Sequence, residues 1–85
     1  MDYILSEHAL FELRRRAIEE KTVREIMASP EQAFEVRPGR AVLQSRIRTG
    51  SPPQLYLVRV FVDVDRQPAE EVTVYRTSRI DGHGR

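Results

Sequence analysis

The chain has 85 residues, 40% of them hydrophobic, and a formal net charge of +1, which fits one small globular domain. It contains no cysteine, which excludes disulfide bonds and thiolate metal sites. Its two histidines show no metal-ligand spacing, so we predict neither a metal nor a cofactor. Membrane spans need apolar runs of about 18 residues, and no run here approaches that length. Because the N-terminus also lacks a secretion signal, we expect a cytoplasmic protein that contacts no membrane.

The basic residues are unevenly distributed along the chain. Residues 36–62 contain no acidic residue and five arginines, namely Arg37, Arg40, Arg46, Arg48 and Arg59. The planar guanidinium group suits bidentate recognition of phosphate. A nearly neutral chain can therefore carry one basic surface. A GC-rich genome or a hot habitat would also explain many arginines, but would not explain the acid-free stretch.

Two short helices are predicted in the first third of the chain. Residues 2–5 precede them as either a lead-in strand or an extended arm. Ser6 suits an N-cap, and apolar residues recur at helical spacing over residues 7–17. A second helix begins at residues 19–22 and ends before Pro30, because the residue preceding a proline disfavours helical dihedrals. Together they form an αα-hairpin.

Four strands are predicted after these helices, at residues 32–37, 41–48, 55–64 and 71–77, with turn residues between them. Short turns force neighbouring strands to be antiparallel. The predicted fold is therefore α+β with the order ααββββ, in which two N-terminal helices pack on one face of a four-stranded antiparallel meander. Residues 1–80 form this single domain, and residues 81–85, which include His83, form a flexible tail.

The alternation of side chains divides this sheet into two faces. The row Val58, Val60 and Val62 carries no charge and should pack against the helices. The other face is expected to expose arginines beside aromatic rings, at Arg46, Arg48, Arg59, Phe61 and Tyr75. Single-stranded RNA favours such a surface, because guanidinium groups hold phosphates and rings stack on bases. Antiparallel sheets also often have one solvated polar face without a ligand, and this alternative stays open.

His8 lies in the first turn of the first predicted helix. A histidine can act as a general base or acid near neutral pH. A lone histidine on a helix is more often structural, so both roles stay open. Three consecutive arginines near the helix C-terminus complement its dipole, but they cannot all point the same way. One of them, Arg16, could therefore reach the ends of the strands.

Four motifs give the chain a resemblance to a known family. They are residues 6–9 (SEHA), 16–18 (RAI), 29–30 (SP) and 72–78 (VTVYRTS), which occur in this order over most of the chain. With them the chain resembles the domain-of-unknown-function family 4258, which usually has glycine where this chain has Ala17. The resemblance implies kinship with the RelE/ParE and BrnT-like toxins of bacterial toxin–antitoxin pairs.

This resemblance implies a toxin-like RNA-binding protein with metal-independent endoribonuclease activity. In that reaction a base removes the proton of a 2′-hydroxyl, and cationic groups stabilise the charge on the attacked phosphate. Arginine is always protonated, so it can hold phosphate but cannot be the base. The implied catalytic residues are His8, Arg16 and Arg76, and the implied RNA-binding residues are Arg46, Arg48, Arg59, Phe61, Tyr75 and Arg79.

The partners that this interpretation implies are an antitoxin protein and RNA or the ribosome, and a homodimer is a further option. Two alternatives remain open. The chain could be a non-catalytic module whose sheet face or edge docks a protein. It could also be a toxin that inhibits a protein target. Whether it is an enzyme is therefore left open.

Overall fold

Two helices and five strands make up the part of the chain that the computed structural model describes, residues 3–65 and 69–80. In chain order they are β1 (Tyr3–Leu5), α1 (Glu7–Arg15), α2 (Glu20–Ala28), β2 (Gln32–Arg37), β3 (Arg40–Thr49), β4 (Gln54–Asp63) and β5 (Ala69–Thr77). The bounds predicted for both helices and for β2 to β5 agree with these closely. The predicted flexible tail, with His83, lies outside the described residues.

The predicted four-stranded antiparallel meander is wrong. The sheet has five strands in the order β1-β5-β4-β3-β2, and β1 pairs parallel with β5, with Tyr3 opposite Ala69. The other three neighbouring pairs are antiparallel. The sheet is therefore mixed and the order is βααββββ, so only the broad α+β class of the prediction agrees with the structure. Two parallel strands need a long crossover connection between them. Here the segment from α1 to β4 forms that connection.

The C-terminus of α1 is closed by a Schellman motif. The amide of Ile18 donates to the carbonyl of Leu13 at 2.9 Å, and the amide of Ala17 donates to the carbonyl of Arg14 at 3.2 Å. Leu13 and Ile18 both belong to the apolar core, and such a hydrophobic contact commonly accompanies this motif. Ala17 has a φ of 54°, which places it in the left-handed region that favours glycine.

We expect Ala17→Gly to raise the free energy of unfolding by about 0.5–1 kcal/mol. Glycine removes the strain of the left-handed conformation, although its greater freedom in the unfolded chain offsets part of this gain. Urea denaturation measures the change. In the matched control, Ala28→Gly at the end of α2, the same substitution in a right-handed helical residue should lower stability. A loss of stability in both variants would contradict the interpretation.

One apolar core lies between the two helices and one face of the sheet. Helix α1 packs on β5, and α2 packs over β3 and β4. The core residues are Leu13, Ile18, Val23, Ile26 and Met27 from the helical half and Leu43, Val58, Val60, Val62, Ala69 and Val74 from the sheet. The prediction that the valine face of β4 packs against the helices is confirmed. Within the described part of the chain no helix covers the opposite face, and neither helix is long and apolar enough to cross a membrane.

Candidate nucleic-acid interface

Strand pairing brings four polar side chains into one row on the sheet face opposite the helices, which we call the open face. Gln32 on β2 lies opposite Gln44 on β3, and Gln44 lies opposite Arg59 on β4. Arg59 in turn lies opposite Tyr75 on β5. Because directly opposite residues point to the same side of a sheet, these side chains are neighbours. They form a row, called the polar row below, that crosses four strands.

Hydrogen bonds join the polar row from end to end. Arg59 Nε donates to Gln44 Oε1 at 2.7 Å, and Arg59 Nη1 donates to the Tyr75 hydroxyl at 2.8 Å. Gln44 Nε2 donates to Gln32 Oε1 at 2.6 Å. The side chain of Gln44 needs these partners, because this residue is only 1% exposed. The row therefore holds the Arg59 guanidinium in a fixed position.

Two aromatic rings lie against the same guanidinium. The rings of Phe61 and Tyr75 are stacked, with centroids 6.0 Å apart and planes inclined by 18°. Arg59 Cζ lies 5.2 Å from the centroid of Phe61 and 5.9 Å from that of Tyr75. Both distances are within the range of cation–π interactions. Arg59, Phe61 and Tyr75 thus form one ordered group, which we call the aromatic platform.

The positive charge of Arg59 is not compensated, since no carboxylate pairs with this residue among the described residues. Its partners in the polar row are an amide and a hydroxyl, and both are neutral. The described ion pairs that lie on the sheet use other arginines, namely Arg40 with Asp63 and Arg46 with Glu31. The aromatic platform is therefore a cationic point on the open face.

Arg46 lies on the same face, but Glu31 neutralises it. The Arg46 guanidinium donates to both oxygens of Glu31, with Nε to Oε1 at 3.1 Å and Nη2 to Oε2 at 3.2 Å. The Arg46 backbone amide also donates to Oε1 at 2.8 Å. The hydrogen bonds from the Arg46 side chain lower the pKa of Glu31 below its ordinary value of 4.5, and the bond from the Arg46 backbone amide lowers it further. Glu31 is therefore ionised at neutral pH and competes with phosphate for Arg46.

Arg48 and Arg79, the other two predicted RNA-binding residues, lie at the rim of this surface. Arg48 is exposed on β3, where the register places it opposite Leu55. Arg79 follows β5 and is also exposed, and its amide donates to Thr77 Oγ1 at 3.0 Å. Neither guanidinium has an ion-pair partner among the described residues. Both add positive charge near the platform without belonging to it.

Arg16, which the family resemblance implies as a catalytic residue, has structural partners. Its Nε donates to Glu12 Oε2 at 3.0 Å, and its Nη1 donates to the backbone carbonyl of Val74 at 3.1 Å. Glu12 also accepts from Arg15 at 2.8 Å. This arrangement links the last turn of α1 to β5. The Arg16 guanidinium therefore fastens the helix to the sheet on the side opposite the open face.

The two other predicted catalytic residues also lie on the helical side, and they do not meet Arg16 at one point. His8 is exposed in the first turn of α1, about 12 Å along the helix axis from Arg16 at 1.5 Å per residue. Arg76 lies over the ring of Tyr56, with Cζ 4.8 Å from the centroid. Among the described residues no contact joins His8 to either arginine. Of the predicted binding residues the structure thus joins Arg59, Phe61 and Tyr75 directly, and it does not assemble the predicted catalytic trio.

A cavity of about 490 Å³ opens beside the polar row, and it contains residues to which the sequence assigned no function. Its lining consists of Glu31, Gln32, Gln44, Arg46, Leu57 and Ile80. Leu57 is 4% exposed and supplies an apolar wall. The signal for Gln44 was present in the sequence, because it alternates in step with Arg46. The pairing of β2 with β3 was predicted, but the register that places Gln32 opposite Gln44 was not.

No model of a known protein family, no curated protein and no solved structure matches this chain. The resemblance to family 4258 therefore stays a prediction. Within residues 3–65 and 69–80 there is also no cluster of three or more metal-ligating side chains.

Proposed function

We propose that this protein binds single-stranded RNA on the open face of its sheet. The observation that carries the proposal is the aromatic platform, in which an arginine without a carboxylate partner is held against two aromatic rings. A guanidinium that contacts phosphate and a ring that stacks on a base are the two interactions that single strands use on open sheets. Here the Arg59 guanidinium and the two rings are close enough together to contact neighbouring nucleotides of one strand.

A single strand fits this surface better than a duplex does. Stacking on Phe61 or Tyr75 requires a base whose flat side is accessible, and bases inside a double helix are stacked on each other. Arg48 and the exposed Arg79, which follows Thr77, both lie toward the end of the sheet where β4 begins, and they are available to phosphates on that side of a stacked base. Their contribution is electrostatic and independent of the base.

Cleavage is not part of this proposal. The residues assigned to it, His8, Arg16 and Arg76, lie on the helical side of the sheet, and Arg16 is occupied by Glu12 and Val74. An antitoxin, the ribosome and a second copy of the chain remain predicted partners that follow from the resemblance alone. A protein that docks on the open face is the alternative to RNA.

The proposal is tested by fluorescence anisotropy with a short labelled oligonucleotide in three forms: single-stranded RNA, the same sequence as RNA duplex, and single-stranded DNA. We expect the single-stranded RNA to bind most tightly, with log K falling as log salt concentration rises by about 0.7 per phosphate contact. Absence of binding, or a preference for the duplex, would overturn the proposal. Equal affinity for DNA would show that the site takes single strands without selecting RNA, and would overturn the assignment to RNA.

We expect Glu31→Gln to strengthen this binding several-fold, because Arg46 loses its carboxylate partner and becomes available to phosphate. The amide oxygen of glutamine can still accept from the Arg46 backbone amide, so the local fold is retained. One additional phosphate contact should steepen the salt dependence of log K by about 0.7 for a single strand. Titrations at several salt concentrations measure this.

The matched control for this variant is Glu20→Gln. Glu20 pairs with Arg24 on α2, away from the open face, so the substitution removes the same charge without releasing a cation there. It should leave the salt dependence unchanged. The same slope in wild type and Glu31→Gln would mean that Arg46 does not contact the nucleic acid.

A further inference from the structure

The hydrogen bonds of the polar row all run outward from Arg59, toward β2 on one side and toward β5 on the other. Arginine has donors and no acceptor, so the atom of Gln44 that faces Arg59 Nε is the carbonyl oxygen. The nitrogen of Gln44 then lies at the other end of the amide and donates to Gln32. The atom of Gln32 that receives this bond is consequently its oxygen. The orientation of both amides thus follows from the chemistry of Arg59, although nitrogen and oxygen look alike in most structures.

This direction leaves hydrogen-bond donors at both ends of the row. At the β2 end, Gln32 Nε2 has no partner among the described residues, and its side chain is exposed. At the β5 end, the Tyr75 oxygen accepts from Arg59, and its own proton has no acceptor within residues 3–65 and 69–80. A ligand that bridges these ends gains most when it presents acceptors, since a donor placed there would be left unsatisfied.

Gln32 lines the cavity of about 490 Å³ described above. This volume is within the range of about 300–1,000 Å³ typical of small-ligand sites. Leu57 and Ile80 give the cavity an apolar wall, while Gln32 and the Arg46–Glu31 pair line it with polar groups. Leu57 lies two residues from Arg59 on the same face of β4, so the cavity and the aromatic platform are roughly 7 Å apart along that strand.

We infer that this cavity binds a keto base of the RNA, uracil or guanine, whose carbonyl accepts a hydrogen bond from Gln32 Nε2. The inference rests on the proposed function and adds a base preference to it. The carbonyl at position 4 of uracil, or 6 of guanine, lies on the side of the ring away from the sugar, and it enters first when a base inserts into a cavity. Cytosine and adenine carry an amino group at this place, which would set donor against donor.

The test compares the dissociation constants of oligouridylate and oligocytidylate for the full chain. Uracil and cytosine are similar in size and differ at position 4, where oxygen is replaced by an amino group. Wild type should bind oligouridylate about tenfold more tightly, the usual consequence of one unsatisfied polar contact. Oligodeoxyuridylate should show the same preference over oligodeoxycytidylate, because the contact involves the base and not the ribose.

The deciding variant is Gln32→Glu. A glutamate at this position still accepts from Gln44 Nε2, but it replaces the outward donor by an acceptor. The ratio of the two dissociation constants should fall to one or invert. Gln54→Glu introduces the same charge at the start of β4, on the face shared with Tyr56, and should leave the ratio unchanged. Because a ratio is compared, the general loss of affinity caused by added negative charge cancels.

Each outcome separates the two proposals. Equal binding of both oligonucleotides to wild type overturns the base preference and leaves RNA binding intact. A tenfold preference that survives in Gln32→Glu, with an unchanged melting temperature, overturns the assignment to Gln32. Absence of binding to any single strand overturns the proposed function itself.

Discussion

Arg59→Ala is expected to weaken the binding of single-stranded RNA about 100-fold, which corresponds to about 2.7 kcal/mol. Three losses add up to this effect. The open face loses an arginine that has no carboxylate partner among the described residues, the rings of Phe61 and Tyr75 lose the cation that contacts both, and Tyr75 loses the hydrogen bond that orients its hydroxyl. Stacking and cation–π contacts are each worth about 1–2 kcal/mol when partly desolvated. Anisotropy titration at low and moderate salt measures the loss.

Two further variants control this experiment. Arg24→Ala removes the same charge from the exposed side of α2, where Arg24 pairs with Glu20, and should change the affinity little. Arg59→Lys keeps the charge but lacks the planar fork that contacts Gln44 and Tyr75 together, so its affinity should be intermediate. RNA binding that stays at the wild-type level in a folded Arg59→Ala variant is incompatible with the open face as the binding surface.

Ile26→Ala is expected to cause the largest change in stability, a loss of about 2–5 kcal/mol. Ile26 is 1% exposed and packs in the core between α2 and the sheet, so truncation leaves a cavity. A chain of this length has a total stability of about 4–13 kcal/mol, so this loss is a large fraction of the whole. Urea denaturation followed by circular dichroism measures the shift of the midpoint.

The control for Ile26→Ala is Val36→Ala on the edge strand β2. Val36 is 43% exposed, and truncation of such a side chain should change stability by no more than about 0.5 kcal/mol. Equal losses in the two variants would show that α2 does not pack on the sheet as described. RNA binding by Ile26→Ala should decrease only in proportion to the unfolded fraction, because Ile26 does not touch the open face.

Most elements of this fold could be predicted because their signals are local. The Ser6 cap, the spacing of apolar residues in α1 and the proline after α2 act over a few residues, and so does the alternation in β4. β1 has only three residues, too few to show an alternation, and its pairing partner comes from the far end of the chain. The parallel pair that makes the sheet mixed was therefore missed.

The candidate site also has features that local sequence signals predicted and features that they did not. Alternation was sufficient to place Arg59, Phe61 and Tyr75 on one face. It carried no information on which arginine meets a carboxylate, because Glu31 reaches Arg46 only through the pairing of two strands. The catalytic trio failed to assemble for a related reason, since α1 packs by its apolar side and thereby places His8 and Arg16 away from the open face.

The amino-acid sequence by itself determined the two helices, the four longer strands and the separation of a valine face from an arginine-bearing face. These features depend on capping, side-chain alternation and burial, which act along a few neighbouring residues. Only the tertiary structure decided the parallel edge strand, the pairing of Arg46 with Glu31 and the donor-to-acceptor direction of the hydrogen bonds in the polar row. Each of these depends on which strand lies beside which and in what register, and that is settled by contacts between residues distant in the chain.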